Sequence, residues 1–165
     1  MYFFDESRFG THSKIGHGWF VKGSRTGIPV KLGFQNFYVY SAVSPKTGRD
    51  STLLMPYVNS DCMNVFLNHM AKELEGREML LVMDGAGWHK SRALKIPKNI
   101  EIIYLPPYSP ELNPIEVLWK YIKDNVLKNK IYENLKILEE ELCKFIKQIK
   151  QESYQSICRI NYMPS

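Results

Sequence analysis

The hydrophobic pattern changes period part-way along the chain. Up to about residue 55, apolar positions come in short aromatic and β-branched runs. Beyond it they recur at helical spacing or in unbroken blocks. Residues 1–4 are apolar and stop at Asp5-Glu6, and residues 18–22, 37–43 and 51–55 are further strand candidates. Glycines separate the early runs, and Pro45-Lys46-Thr47-Gly48 is a turn signal. Residues 59–75 read as the first helix, with Asn59 or Ser60 as N-cap and Met63, Phe66, Leu67, Met70 and Leu74 on one face. Residues 78–83 are a nearly continuous apolar run ending at Asp84, as in a central strand buried on both faces. A short strand follows over 100–105. Residues 106–114 hold four of the nine prolines and predict a stiff, extended connector. A helix over 115–128 carries the stripe Ile115, Leu118, Trp119, Ile122, Val126. A last helix over 133–151 turns Leu135, Leu138, Leu142, Phe145, Ile146 and Ile149 inward, as core packing rather than a coiled-coil seam. Strands followed by strand–helix alternation predict an α/β fold, a mixed sheet flanked by helices.

Length and composition narrow the class. A length of 165 residues predicts one domain, or a domain with a short appendage, and 44% apolar with 24% charged residues is ordinary for a globular protein. No apolar run approaches the roughly 18 residues of a membrane helix, and no signal-peptide pattern opens the chain. Cys62, Cys143 and Cys158 are odd in number and widely spaced, which fits reduced thiols in a cytosol better than a zinc site.

Charge sharpens the picture. The net charge of +5 is concentrated in residues 7–49, which carry Arg8, Lys14, Lys22, Arg25, Lys31, Lys46 and Arg49 and no acid. The remainder is slightly acidic, with 15 basic against 17 acidic residues. Aromatics such as Phe9, Trp19, Phe20 and Phe37 are interleaved. A basic segment with aromatics is one footprint of a nucleic-acid surface, and equally of a solvated hairpin.

Three acids stand at predicted element ends. Asp5 ends the first strand, Asp84 ends the buried strand before Gly85-Ala86-Gly87, and Glu116 lies in the first turn after the proline block. The carboxyl ends of strands are where sites form in open α/β sheets. Three carboxylates meeting there make a hard-oxygen site for Mg²⁺ or Mn²⁺. Each also has a plain structural reading. Asp84 suits a turn, and Asp5 or Glu6 can face water. Asn113-Pro114-Ile115-Glu116 reads as a capping box with proline at the first helical position.

The local sequences decide between these readings. Asp5-Glu6-Ser7-Arg8-Phe9-Gly10, Asp84-Gly85-Ala86-Gly87-Trp88-His89-Lys90-Ser91 and Leu105-Pro106-Pro107-Tyr108-Ser109-Pro110-Glu111-Leu112-Asn113-Pro114-Ile115-Glu116 occur in this order. Together they resemble the catalytic domain of DDE transposases of the IS630/Tc1–mariner superfamily, and its bacterial insertion-sequence branch most. The likeness runs from Phe3 to about Lys123, with a looser helical tail from about residue 131.

The resemblance implies a ribonuclease-H-like fold in which Asp5, Asp84 and Glu116 are catalytic and hold two Mg²⁺ ions, with Mn²⁺ as substitute. It implies DNA as partner: transposon inverted-repeat ends, cut by water, and a target, usually at TA, attacked by the freed 3′-hydroxyl. A homodimer is expected, in the bacterial nucleoid. So are helix-turn-helix DNA-binding domains, supplied by an upstream half or by a frame joined through frameshifting. Between Asp84 and Glu116 lie 31 residues, a few fewer than usual in the superfamily, and residues 91–99 can absorb the difference. A truncated, non-catalytic remnant with residual DNA binding, or a nuclease on the same fold, are the alternatives.

Among supporting residues, 100° per residue places Lys120 and Lys123 within about 40° of Glu116 on the helix. They join Arg8, Lys14, Lys22, Arg25 and Lys31 as candidate DNA-binding residues, the alternative for the pair being a solvated Glu–Lys spacing. His89, just beyond Asp84, offers a contact to substrate or a metal-bound water, but a lone histidine after a turn reads as structural and stays outside the catalytic set. His12 and His17 match no metal motif, and Trp19 and Trp119 read as core.

Overall fold

The computed structural model describes residues 1–11 and 35–160. The basic segment containing Lys14, Lys22, Arg25 and Lys31, the strand expected over 18–22, Trp19, His12 and His17 lie outside the described residues.

The order of elements is β1 (Tyr2–Gly10), β2 (Asn36–Val43), β3 (Asp50–Met55), α1 (Ser60–Glu73), β4 (Met79–Met83), β5 (Ile100–Tyr104), α2 (Ile115–Val126), α3 (Leu135–Gln148) and α4 (Gln151–Ile157). Short 3-10 turns occupy Gly87–Lys90 and Pro110–Leu112. The strands form one sheet in the order β3-β2-β1-β4-β5. β1, β2 and β3 are antiparallel neighbours, whereas β1–β4 and β4–β5 are parallel. The sheet is mixed, as the change of hydrophobic period predicts.

Strand alternation divides the core into two layers. Phe3 and Phe9 of β1 pack toward α2, α3 and α4, with Ile115, Leu118, Trp119, Leu138, Leu142 and Tyr154. Phe4 points the other way, with Tyr40, Met63, Phe66 and Leu67 of the α1 side. Its ring lies 4.9 Å from that of Phe66. β4 contributes Leu81 and Met83 to the α1 side and Val82 to the α2 side, so a strand buried on both faces reads as an unbroken apolar run.

Three expectations change. The final helix is two helices, broken at Ile149, whose extended backbone (ψ 118°) ends α3, before Lys150 caps α4. The break lets Tyr154 reach back to the sheet, where its hydroxyl donates to Asp50 Oδ2 at 3.2 Å. α4 also covers the turn at Gly48, whose φ of 68° and close approach to the Gln151 carbonyl leave no room for a β-carbon. The proline connector is stiff but not wholly extended, because Pro110–Leu112 forms a 3-10 turn and Tyr108 adopts φ 58°. Finally, Asp5 lies in the middle of β1, not at its end.

Candidate active site

The position of Asp5 follows from unequal strand lengths. β1 pairs with β2 from Phe3↔Val43 to Gly10↔Asn36. On its other edge it pairs with β4 only at Tyr2↔Leu81 and Phe3↔Val82, since β4 ends at Met83. Continuing this register brings Asp84 level with Asp5 on the neighbouring strand. The first acid therefore sits mid-strand where that strand loses its parallel neighbour.

Asp5 faces the α2 layer. Trp119 Nε1 of α2 donates to Asp5 Oδ2 at 2.8 Å. Burial pushes the Asp5 carboxyl up from 3.8 to about 7, helped by the charges of Glu6 and Glu116 and opposed by the indole hydrogen bond.

Glu116 is brought to the same place by Asn113. That buried amide donates from Nδ2 to the Phe4 carbonyl at 3.1 Å, tying the proline block to the residue before Asp5. Its Oδ1 accepts from Ile115 N at 3.3 Å, but the residue that precedes the helix is Pro114, so α2 starts one position later than the capping-box reading predicts. The backbone N–H of Asn113 is given to Pro110 O at 2.9 Å. Glu116 is thus not spent as the return half of a capping box, and its carboxylate stays exposed. Asp5, Asp84 and Glu116 line one cavity of about 310 Å³, walled by Pro106, Pro107 and Tyr108.

Behind Asp84 lies a pair that sequence reasoning misses. His89 Nδ1 stands 2.6 Å from Asp84 Oδ1, and His89 Nε2 stands 3.3 Å from Glu6 Oε2. His89 is 1% exposed and the Glu6 side chain 9%. Burial alone lowers the imidazole's proton affinity, but the Glu6 and Asp84 carboxylates outweigh it and hold His89 above its ordinary value. The structural reading of His89 holds as far as burial goes, yet it misses the contact with Asp84. Glu6 is legible in the sequence only as a neighbour of Asp5. Period-two alternation is the signal that sends adjacent acids to opposite faces of β1.

The donor set fits a hard divalent cation. Asp5 is half-buried with the acids Glu6 and Glu116 as its charged influences, and a cation in the cavity would relieve that repulsion. Among the described residues, however, no three His, Cys, Asp or Glu groups stand close enough to enclose a metal ion. The three carboxylates share a cavity without closing on a common point.

The profile of the family described as "DDE superfamily endonuclease" matches residues 1–139. The chain belongs to the DDE superfamily endonucleases. An uncharacterised protein of Sinorhizobium fredii is 36% identical over 107 residues, which are 64% of this chain and 79% of that protein. The uncharacterised 39 kDa protein of insertion element IS630 from Shigella sonnei is 27% identical over 138 residues, 78% of this chain but 39% of that protein. Among solved structures, the catalytic domain of Mos1 mariner transposase has a TM-score of 0.65 at 15% identity, covering 95% of this chain and 74% of that one. The Mos1 paired-end complex with Mg gives 0.71 at 16% identity, with 95% of this chain but only 50% of the Mos1 chain covered. The ribonuclease-H-like fold and the IS630/Tc1–mariner type expected from the motifs both hold.

On this DDE endonuclease fold, the remaining predicted residues separate. Lys120 is exposed on α2. Lys123 is half-buried, with Nζ 5.5 Å from the centroid of the Phe9 ring. Arg8 is exposed but faces the other side of β1, lining a hollow with Glu6, Tyr38 and Val58. Trp119 is core, as predicted, at 3% exposure. No described helix is long and apolar enough to cross a membrane.

Proposed function

We propose that this chain is the catalytic part of a transposase, cutting DNA at transposon ends and joining it to a target through Asp5, Asp84 and Glu116. The observation that carries this reading is the single cavity where β1, the end of β4 and the start of α2 present the three acids together. They would hold two Mg²⁺ ions, or Mn²⁺ in their place. Such ions, when bound, activate an attacking oxygen and stabilise a leaving one in phosphodiester displacement.

The chain's own contribution is placement. Trp119 holds one oxygen of Asp5. Asn113 ties the start of α2 to β1 and so sets the reach of Glu116. The proline wall gives the cavity a rigid side. Water is the first nucleophile and the freed 3′-hydroxyl the second, with TA as the expected target. A homodimer and a helix-turn-helix half that recognises the ends complete the proposal.

The test is nicking of an inverted-repeat DNA end in Mg²⁺ or Mn²⁺ by wild type and Asp84→Asn. Loss of about 10²–10³-fold in rate is expected for the variant, the scale on which removal of one group stabilising transition-state charge is felt. Equal cleavage by both would remove Asp84 from the chemistry.

Lys120 extends from the same helix as Glu116 toward solvent, where a DNA backbone would pass. Lys120→Ala with Lys123→Ala should flatten the dependence of log Kd on log salt by roughly 0.9 for each phosphate the protein ceases to neutralise. The engagement of Lys123 with Phe9 makes Lys120 the larger contributor, which the two single variants resolve. An unchanged slope would take this face of α2 off the DNA.

A further inference from the structure

We propose that Glu6 and His89 are positioning residues that fix Asp84 in the orientation in which it receives a divalent cation. The proposal rests on the reading of Asp84 as a metal ligand. Asp84 itself is on a loop and 55% exposed, so nothing in β4 restrains its side chain. Two donors do so. The Ala86 N–H donates to Asp84 Oδ1 at 3.2 Å, and His89 Nδ1 stands 2.6 Å from the same oxygen and 3.1 Å from the Asp84 main-chain carbonyl, so the ring braces both the side chain and the backbone of Asp84. Both contacts fall on Oδ1 of an acid that lines the cavity.

His89 is in turn held through its backbone and by the packing around its ring. Its backbone N–H donates to Ala86 O at 3.0 Å, which closes the loop from Asp84 into the 3-10 turn. Tyr104 of β5 donates its hydroxyl to the His89 carbonyl. Phe4 meets the imidazole edge-on at 5.7 Å between ring centres. Glu6 stands 3.3 Å behind Nε2. A buried carboxylate beside a buried imidazole is expensive to desolvate, and apolar side chains of the same volume would pack there at lower cost. The arrangement makes sense through its outer end, the exposed acid that lines the cavity. Glu6 sets the ring, the ring sets Asp84, and β1 thus places both Asp5 directly and Asp84 at one remove. Groups that hydrogen-bond a ligating carboxylate from behind typically govern affinity for the ion.

The experiment is calorimetric titration of the metal-free chain with Mn²⁺. Wild type, Asp84→Asn, His89→Ala, His89→Asn and His89→Gln are compared, with thermal melting to confirm that each folds. Binding should weaken roughly 10–100-fold in His89→Ala. Asparagine carries an amide nitrogen where histidine carries Nδ1, so His89→Asn should recover most of the affinity. Glutamine carries its nitrogen near the Nε2 position and should recover little. A mere packing role would treat the two amides alike, so equal weakening in both overturns the proposal. So does wild-type affinity in His89→Ala when Asp84→Asn has lost the ion, an outcome that leaves the three-acid site standing. If wild type binds no Mn²⁺, or Asp84→Asn binds as tightly as wild type, the ligand role of Asp84 falls and this proposal falls with it.

Discussion

Asp5→Asn should make the metal-free protein more stable above neutral pH and, on the proposed function, abolish DNA cleavage. The unfolded Asp5 titrates near 3.8, and in the folded chain burial, Glu6 and Glu116 raise it to about 7. Below about pH 4 both states hold the proton, and Asp5 imposes no penalty. Between pH 4 and 7 the folded state keeps a proton that the unfolded state has lost, so stability falls as pH rises. Above 7 both are ionised and the whole cost of the buried charge is present, an upper limit of about 4 kcal/mol at 1.36 kcal/mol for each of about three units. Asparagine keeps an oxygen for the Trp119 N–H and removes the charge. Urea unfolding of wild type and Asp5→Asn at pH 4, 6 and 8 should therefore start close together and separate, the variant ahead. Added Mn²⁺ should close the gap by stabilising wild type alone. A difference that stays constant with pH would mean that Asp5 carries no buried charge.

Trp119 should separate packing from polarity at the same site. Its indole is buried in the α2 layer, 6.2 Å from the Phe9 ring and edge-on to it. Trp119→Ala should cost about 3–5 kcal/mol, as for other large core aromatics. Trp119→Phe keeps most of the ring but loses the donor to Asp5. Its extra cost should approach about 1.5–3 kcal/mol at pH 8, where the acceptor is ionised, and shrink at pH 5, where it is protonated. Denaturant unfolding at the two pH values, with Asp5→Asn as the second arm of a double-mutant cycle, measures this coupling. A Trp119→Phe cost independent of both pH and Asp5 would reduce the indole N–H to a bystander.

Much of the fold is legible in the sequence because the residues concerned act over short range. The apolar block ending at Asp84 is a strand because both its faces are covered. Asn59 caps α1 by accepting from Cys62 N at 2.9 Å, whereas α2 begins behind Pro114, one residue past the Asn113 cap that the spacing predicts. Sequence and fold disagree where distant segments decide. Nothing local marks the break at Ile149 and Lys150, since neither is glycine or proline. Packing of Tyr154 against the sheet accounts for it. The strand character of residues 6–8 is masked because Glu6, Ser7 and Arg8 are all polar, though Ser7 is buried and only Arg8 is fully exposed. The pairing of Glu6 with His89 joins positions more than eighty residues apart on the sequence. No spacing rule reaches that far. The three-acid cavity is legible through motif likeness rather than through any periodicity.

Placing a cavity-lining acid mid-strand also determines where the chain tolerates length changes. Asp5 and Glu6 point to opposite layers only because β1 is locked to β2 over eight consecutive pairs. One residue inserted before Asp5 that slid the strand by a single step would send each acid to the opposite layer, Asp5 into the place of Glu6 beside the imidazole and Glu6 into the place of Ser7, leaving the cavity position without its acid. The loop from 91 to 99 is tied to α1 through Asn64 and Asn99 but belongs to no strand register, and Asn113 fastens the start of α2 to β1 independently of it. Insertions and deletions should therefore accumulate among relatives in that loop and be absent from β1, leaving the site intact as its surroundings drift in length.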